Sequence, residues 1–245
     1  MEPTSFSLQA ANESINEEGY FSLSDPSVGK HVSEMEKSGF PVWTEEGLDF
    51  CHQLVLFDTR IRSILQLWFG KRCVLVHWLR YKAYPGHAIC FRAGGLKAGR
   101  RRFMVHLLAK GSEVKYYNQS HLHELPTEDT DYLFYEVPQS SLDETDLKGE
   151  DVQFDDGGFV TLDARTCIEI KQGYVIAFLF ATEDVLPKWP PMYLPNIPSL
   201  REKVSEMQSA EIGVNFVFRD PAGPKQRVDD SASASCHENK PSNVQ

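Results

Sequence analysis

Short runs of β-branched and aromatic residues follow one another closely in the middle of this 245-residue chain. Most of these runs are bounded by Gly, Pro, Asn or Asp, which favour turns. The predicted strands are Cys73–Leu79, His87–Phe91, Phe103–Leu108, Val114–Tyr117, Tyr132–Val137, Phe159–Asp163, Cys167–Ile170 and Tyr174–Ala181. About eight strands in about 110 residues leave no room for helices between them, which excludes a doubly wound fold. The pattern predicts an α+β fold built on a jelly-roll barrel.

Helical periodicity lies outside this strand-rich region. Apolar residues in Thr44–Trp68 recur mostly at three- and four-residue spacings, which predicts an amphipathic helix. Thr44 is a suitable N-cap for this helix, and Gly70 is a suitable stop. Further patterns predict helices at Lys30–Ser38 and Leu200–Met207 and a closing strand at Val214–Arg219. The expected architecture is therefore a jelly-roll barrel with flanking helices.

Composition divides the chain into one folded unit and two tails. Residues 1–29 are rich in Ser, Glu, Asn and Pro without a sustained hydrophobic period, which predicts a disordered N-terminal tail. Residues 221–245 contain almost nothing to bury and are predicted to form a disordered C-terminal tail. The remaining residues, 30–220, are expected to form a single jelly-roll domain, because all-β barrels commonly reach this length.

Cysteine usage and hydropathy indicate the expected compartment. The five cysteines are scattered and contain no CxxC pair, which argues against a disulfide framework and a zinc knuckle. The N-terminus lacks the basic and apolar regions of a secretory signal. No run approaches the roughly 18–20 apolar residues that a membrane helix needs. The sequence predicts a cytoplasmic protein that does not bind membranes.

Basic residues are concentrated in one segment of an acidic chain. Between Thr59 and Ser112 there is no Asp or Glu, yet the segment holds 12 of the 25 Lys and Arg residues, and the net charge is −10. The segment predicts a positive patch at the barrel mouth that attracts a carboxylate or phosphate. The residues assigned to this anion-binding patch are Arg80, Lys82, Arg92, Arg100, Arg101 and Arg102.

Two alternatives to a small anionic ligand exist for these basic residues. The first is that the basic strands simply pair with acidic strands, as Asp163 and Arg165 are expected to pair on one strand face. The second is a nucleic-acid partner. Nucleic acid is disfavoured, because the whole chain is acidic and no stacking motif accompanies the basic run.

Two segments carry a resemblance to a known family. The sequence YYNQSHLHELP (Tyr116–Pro126) is similar to the G-S-H turn of the phytanoyl-CoA dioxygenase-like family, and GGFVTLDAR (Gly157–Arg165) resembles that family's late strand. The arrangement between them resembles fungal proteins attached to the same family, over about Lys71 to Phe218. The resemblance implies a double-stranded β-helix, which is a cupin-like barrel, and an activity that uses iron(II) and 2-oxoglutarate.

The chain departs from the family's pattern at the expected functional positions. The family holds iron(II) with two His and one carboxylate, the first two as H-x-D or H-x-E. Here the residues two positions after the strand histidines are Leu79, Ile89 and Leu108. The residues just after LDAR, where the distal histidine is expected, are Thr166, Cys167 and Ile168. The expected Arg for 2-oxoglutarate is absent from GYVIAFLFATEDV, so the sequence predicts an oxygenase-like scaffold whose metal ligands and catalytic residues are not evident.

The individual histidines offer further candidates for metal ligands or for core residues. His121 and His123 resemble part of a cupin metal pattern and are candidate metal ligands. The alternative is that His121 orders its turn while His123 faces solvent. His77 and His106 are each expected to share a strand face with apolar residues, which is typical of hydrogen-bonded histidines in a core.

Two hypotheses from different functional classes follow. The first is an oxygenase-like enzyme of fungal specialised (secondary) metabolism, with non-standard ligands drawn from His77, His87, His121 and His123. The second is a non-catalytic barrel that binds a small molecule or a protein partner in its mouth, under the WPPMYLPNIP segment. The candidate pocket residues are His77, His87, Arg92, His106, Trp189 and Tyr193.

Overall fold

The computed structural model describes residues 6–130 and 133–220, except for the side chain of Lys188. The helices are α1 (Leu8–Glu17), α2 (Pro26–Lys37), α3 (Glu45–Cys51), α4 (Thr59–Phe69), α5 (Gln139–Glu144) and α6 (Pro198–Glu206). The strands are β1 (Tyr20–Ser24), β2 (Cys73–Lys82), β3 (Ala88–Cys90), β4 (Arg102–Leu108), β5 (Ser112–Tyr117), β6 (Glu128–Asp129), β7 (Tyr135–Val137), β8 (Gly149–Phe154), β9 (Gly158–Asp163), β10 (Ile168–Gln172), β11 (Tyr174–Thr182), β12 (Met192–Pro195), β13 (Ile212–Val214) and β14 (Phe216–Arg219).

Two six-stranded sheets form the barrel. The major sheet has the order β1-β9-β4-β11-β2-β13, and the minor sheet has the order β6-β7-β3-β10-β5-β8. Neighbouring strands are antiparallel except where β13 pairs with β2. From β2 to β5, and again from β8 to β11, the chain passes back and forth between the sheets. This is the double-stranded β-helix of a jelly-roll, and the predicted fold class is confirmed.

Alternation along the strands builds two cores. On β4, Phe103, Val105 and Leu107 face outward and pack under helices α1–α4 and α6. Met104 and Leu108 face inward, toward residues of the minor sheet such as Val114. Fully burying a large apolar side chain contributes about 1.5–3 kcal/mol. The space between the sheets is therefore a packed core that stabilises the barrel.

The segment predicted as one helix, Thr44–Trp68, is broken into two. Thr44 caps α3, as predicted, by accepting a hydrogen bond from the Gly47 amide. A π-helical turn then spans His52–Leu56, and Asp58 caps a new helix, α4, by accepting from the amides of Arg60 and Ile61. Gly70 ends α4 in the left-handed conformation. The prediction missed the break because the apolar residues keep helical spacing across Asp58.

Residues 1–29 were predicted to be a disordered tail, and this is wrong for the part that the structure describes. The strand β1 pairs with β9 along its whole length, from Tyr20 opposite Leu162 to Ser24 opposite Gly158. Helix α1 before it buries Ala11 and Ile15. Composition hid this because the strand's partner lies more than a hundred residues away in the sequence. The predicted C-terminal tail, 221–245, lies outside the described residues.

The acidic stretch that ends at Phe154 forms strand β8. Strand β8 pairs with β5, bringing Asp151 opposite Lys115. No helix in the described residues is long and apolar enough to cross a membrane.

Candidate ligand-binding site

A cavity of about 200 Å³ opens at the end of the barrel where β4 begins, here called the Arg102 end. Phe91, which directly follows β3, and Trp189 contribute apolar wall. Residues before and in β7 complete it. The lining residues are Phe91, Arg102, Asp129, Thr130, Leu133, Phe134, Tyr135 and Trp189. Two of them, Arg102 and Trp189, were predicted to belong to the site.

Arg102 points into this end of the barrel, where only some of its hydrogen-bond donors have partners in the described residues. Its strand partner is Ala181, which lies in the core between the sheets, so Arg102 shares that inward face. One terminal nitrogen donates to the Phe91 carbonyl at 3.4 Å, and the guanidinium lies 4.9 Å from the centre of the Trp189 ring. Its Nε is buried without a hydrogen-bond partner among the described residues. Burial lowers the pKa of Arg102, and the nearby Arg92 charge lowers it further.

Arg92 is the second guanidinium at this end of the barrel. Its Nε is also buried and has no hydrogen-bond partner within the described part of the chain. The arginines that form ion pairs there are Arg60, Arg62, Arg72, Arg101 and Arg165. Neither Arg92 nor Arg102 is among them. Arg102 therefore lines the cavity, and Arg92 lies beside it, without an ion pair to a carboxylate in the described residues.

The predicted positive patch does not form as a single surface. Arg80 is level with Leu107 in the sheet, whereas Arg102 is five residues away along β4, about 17 Å at roughly 3.3 Å per residue. Arg80 and Lys82 line a different, larger cavity of about 520 Å³ at the opposite end, here called the Arg80 end. The patch was a wrong prediction because β2 and β4 run in the same direction, so the end of one lies far from the start of the other.

Three other arginines of the predicted patch have contacts of their own. The Arg80 guanidinium lies 3.9 Å from the centre of the Phe40 ring. Arg100 hydrogen-bonds to Asn16 and lies over Trp68. Arg101 forms an ion pair with Asp184 at 3.6 Å. These contacts distinguish the three arginines from Arg102, which lines its cavity without an ion pair to a carboxylate in the described residues.

His106 lies deep inside the barrel, on the same face of β4 as Arg102. It is fully buried, with its ring 5.8 Å from that of Phe91. Neither ring nitrogen has a hydrogen-bond partner among the described residues, so the predicted hydrogen bond is not found. Burial lowers its pKa to about 3. His106 is therefore a neutral imidazole in the core at ordinary pH.

His77 also faces the barrel interior, through a β-bulge that the sequence did not reveal. The register of β2 shifts so that His77 opposes Leu179 while Leu75 opposes Phe180. The extra residue, Val76, turns His77 away from the face of Cys73 and Leu75, which it was predicted to share. Burial lowers the pKa of His77.

The remaining predicted histidines lie apart from the cavity. His87 lies in the turn before β3, where its Nδ1 hydrogen-bonds to Glu136 and its ring stacks on Tyr84 at 3.8 Å. His121 is buried, and its Nε2 donates to the Asn16 carbonyl at 3.2 Å. His123 is exposed. The turn-ordering alternative for His121 thus matches the observed contacts.

Two further predictions concern residues around the site. Tyr193, a candidate wall residue, is 42% exposed on β12 and stacks on Arg219, so it does not line the cavity. Asp163 and Arg165 form the predicted ion pair, with Arg165 Nε donating to Asp163 Oδ1 at 2.8 Å. The wall residues Phe91 and Phe134 were missed, although both fall in or next to predicted strands.

The comparisons with known proteins find similarity at the level of structure. No family model matches this chain, and no curated protein matches it. The epimerase SnoN, solved in complex with Fe3+, alpha ketoglutarate and nogalamycin RO, is similar with a TM-score of 0.51 and 13% identity, over 71% of this chain and 83% of that chain. The chain has the fold of iron/2-oxoglutarate-dependent enzymes.

A second solved structure is similar over a longer part of the chain. AviO1 from Streptomyces viridochromogenes Tue57 has a TM-score of 0.49 and 13% identity, over 77% of this chain and 99% of that chain. At these identities the likeness concerns the fold alone.

The residues of this oxygenase fold do not fit the iron that the family resemblance implies. At the paired strands β3 and β10, the inward residues are Ile89, Phe91 and Ile168, and none of them offers a metal-binding atom. Iron(II) in such sites needs His and carboxylate ligands. No group of three or more His, Cys, Asp or Glu in the described residues is placed to hold a metal ion.

The anchor for 2-oxoglutarate is missing in the same way. Strand β11 carries no Lys or Arg, and its inward residues, such as Val175, Ala177 and Leu179, are apolar. Two inward imidazoles lie beside this strand, that of His106 opposite Ala177 and that of His77 opposite Leu179. Two imidazoles are short of the three ligands that the family's iron needs. Most other inward residues of the barrel strands are apolar.

Proposed function

We propose that this chain binds a small organic molecule at the Arg102 end of the barrel and does not carry out iron(II)/2-oxoglutarate chemistry. The observation that carries the proposal is the apolar character of Ile89, Phe91 and Ile168 at the inward positions of β3 and β10. These residues fill the barrel centre and confine open space to its ends. Small-molecule sites are commonly concave, largely apolar and equipped with a few polar groups, as the Arg102 cavity is.

The competing hypothesis is an oxygenase-like enzyme with non-standard histidine ligands. Its four candidates lie in different environments: His77 faces the core, His87 pairs with Glu136 in a turn, His121 contacts the chain at Asn16, and His123 is exposed. An iron site needs its ligands converged on one point within about 2–2.5 Å of the metal. The separate contacts of these residues favour the binding hypothesis.

A setting in fungal specialised metabolism is part of the proposal. It is supported by the sequence resemblance to fungal proteins and by the complex of SnoN with nogalamycin RO, a small-molecule ligand of that protein. In that setting, this chain would recognise a small molecule without transforming it oxidatively.

The first experiment measures iron binding and turnover. Purified protein is dialysed anaerobically against iron(II), and 2-oxoglutarate conversion to succinate is followed with ascorbate and oxygen. We expect no stoichiometric iron and no succinate above the protein-free control. Succinate formation that disappears in His77→Ala or His106→Ala would overturn the proposal.

The second experiment asks whether the cavity binds small molecules at all. A thermal-shift panel of small acids, amines and neutral compounds should include members that stabilise the wild-type protein. Leu133→Trp, which fills the cavity, should abolish that stabilisation. Leu122→Trp is the matched control, because Leu122 and Leu133 are 37% and 38% exposed but only Leu133 lines the cavity. Equal responses of the two variants would move the site elsewhere.

A further inference from the structure

We infer that the ligand of the Arg102 cavity is a small organic monocarboxylate, held by the guanidinium group of Arg102 and attracted by the nearby charge of Arg92, with its apolar part against Phe91 and Phe134. This inference rests on the proposed function and deepens it by naming the chemical class of the ligand. It differs from 2-oxoglutarate binding in the residues used, because β11 contributes no basic side chain.

The first argument is the unmet hydrogen-bonding capacity of the two arginines. Arg102 makes one 3.4 Å hydrogen bond to a carbonyl, and the buried Nε atoms of Arg102 and Arg92 have no partner in the described residues. A guanidinium has five N–H donors and stays charged in proteins. A buried donor without a partner costs free energy, and the cost is larger for a charged group than for a neutral one. A carboxylate satisfies both the charge and the donors.

The second argument is the mutual repulsion of the two cations. Arg102 donates a hydrogen bond to the carbonyl of Phe91, the residue directly before Arg92, so the two arginines are neighbours, and the Arg92 charge lowers the pKa of Arg102. Elsewhere in the described chain, arginines at comparable burial have carboxylate partners, such as Arg60 with Asp25 at 2.9 Å. An anion placed between Arg92 and Arg102 turns this repulsion into two attractions.

Size and charge narrow the ligand class further. About 200 Å³ lies below the roughly 300–1,000 Å³ of drug-sized ligand sites, so the ligand is small. The aromatic rings of Phe91 and Phe134 favour an apolar body over a hydrated inorganic anion. Asp129 lines the same cavity and repels a second negative charge. These features together select a monoanion with an apolar part over phosphate and over a dicarboxylate.

The test uses benzoate and pentanoate as probes, with benzamide as the neutral analogue and inorganic phosphate as the hydrated anion. Binding to the full chain is measured by isothermal titration calorimetry, in low salt because exposed ionic contacts are screened. We expect at least one carboxylate to bind at least tenfold more tightly than benzamide and phosphate. Arg102→Gln and Arg92→Gln should each weaken that carboxylate at least tenfold.

Two variants separate this site from general charge effects and from misfolding. Arg101→Gln removes the neighbouring charge, which is paired with Asp184 outside the cavity, and should leave carboxylate affinity within twofold. Arg102→Lys keeps the charge but loses the planar fork, so its affinity should fall between wild type and Arg102→Gln. Melting temperatures of all variants check that each is folded.

Several outcomes would overturn the inference. They are no detectable binding of either carboxylate, equal binding of benzamide or phosphate, or unchanged affinity in Arg102→Gln and Arg102→Lys. If neutral compounds bind and iron turnover is absent, the inference fails while the proposed function survives. If 2-oxoglutarate is turned over, the proposed function itself fails.

Discussion

The outer face of the minor sheet and the Arg102 end of the barrel differ in whether their cations have carboxylate partners among the described residues. On the outer face, Lys171 of β10 lies 2.8 Å from Glu113 and 3.0 Å from Asp151, and Lys115 of β5 faces Glu169 at 3.9 Å. At the Arg102 end, two arginines have no carboxylate partner in the described residues. Contacts between neighbouring strands satisfy the lysines on the outer face. Within the described chain, no such contact satisfies the two arginines at the Arg102 end.

The difference shows where a charged residue serves the fold and where it is free for a ligand. Lys115 lies opposite Glu169 and Asp151, and Lys171, at an irregularity of β10, contacts Glu113 and Asp151, so both charges are satisfied inside the molecule. Arg102 occupies a strand position whose neighbour is Ala181. The fold also satisfies a deeply buried arginine when it needs one, as Arg165 with Asp163 and the Gly95 carbonyl shows. The unpaired arginines at the cavity are the exception.

The largest expected effect comes from removing the carboxylate partner of Arg165, which leaves that arginine without an ion pair, as Arg102 is in the described residues. Asp163→Ala leaves a 4%-exposed guanidinium without its carboxylate, and losing one partner of a buried pair costs about 3–5 kcal/mol. Urea unfolding should show a free energy of unfolding lower by about that amount. The double variant Asp163→Ala/Arg165→Leu should recover part of the loss, because it removes the stranded charge. A loss below about 1 kcal/mol in the single variant would contradict this account.

A second test uses the other unpartnered group on the inward face of β4, His106. Its folded pKa of about 3 lies below the ordinary value of 6.5, so the unfolded chain binds the extra proton between these pH values. Its contribution to stability is present above pH 6.5 and is lost as the pH falls toward 3. Between pH 7 and pH 5 the free energy of unfolding should fall by about 2 kcal/mol from this group alone.

His106→Leu provides the control for that pH dependence. Leu is apolar like the neighbouring Met104 and Leu108, and it does not titrate. The variant should lose about 2 kcal/mol less than wild type between pH 7 and pH 5, since every other titrating group is common to both proteins. Identical pH slopes for the two proteins would mean that His106 is solvated or hydrogen-bonded in solution.

The barrel strands could be predicted from the sequence because their signals are local. Turn residues and β-branched runs predicted β4 as Phe103–Leu108, one residue short of Arg102–Leu108. The strand β1 could not be predicted in this way, because β9 supplies its pairing from far along the chain. Likewise, the bulge that turns His77 inward is a property of the β2–β11 pair and leaves no mark on either strand alone.

The sequence predicted only part of the candidate site, because strand pairing decides which of its residues meet. The acid-free segment drew attention to Arg92 and Arg102, but clustering along the sequence cannot tell which basic residues meet in space. The register of β2 and β4 places Arg80 far from Arg102. Only the ion pairs of the folded chain distinguish Arg101, which pairs with Asp184, from Arg102, which has no carboxylate partner in the described residues.

A third test removes the unpaired charge itself. Arg102→Met keeps the side-chain stem beside Trp189 and deletes a half-buried cation that is repelled by Arg92. Without ligand, the free energy of unfolding should rise by about 1 kcal/mol, because no carboxylate partner and only one long hydrogen bond are lost while a desolvated charge is removed. Chemical unfolding in low salt measures the change. A destabilisation of the same size would show that Arg102 serves the fold after all.

The smallest expected effect is the matching substitution in the paired region, and its sign should be opposite. Lys115→Met removes a cation that faces Glu169 at 3.9 Å and lies 6.0 Å from the Tyr117 ring. Exposed or partly exposed ion pairs contribute about 0.2–1 kcal/mol, so the free energy of unfolding should fall by no more than that. The loss should shrink in about 1 M salt, where screening acts within about 3 Å. Stabilisation by Lys115→Met would erase the distinction between the two regions, because a paired and an unpaired cation would then respond alike.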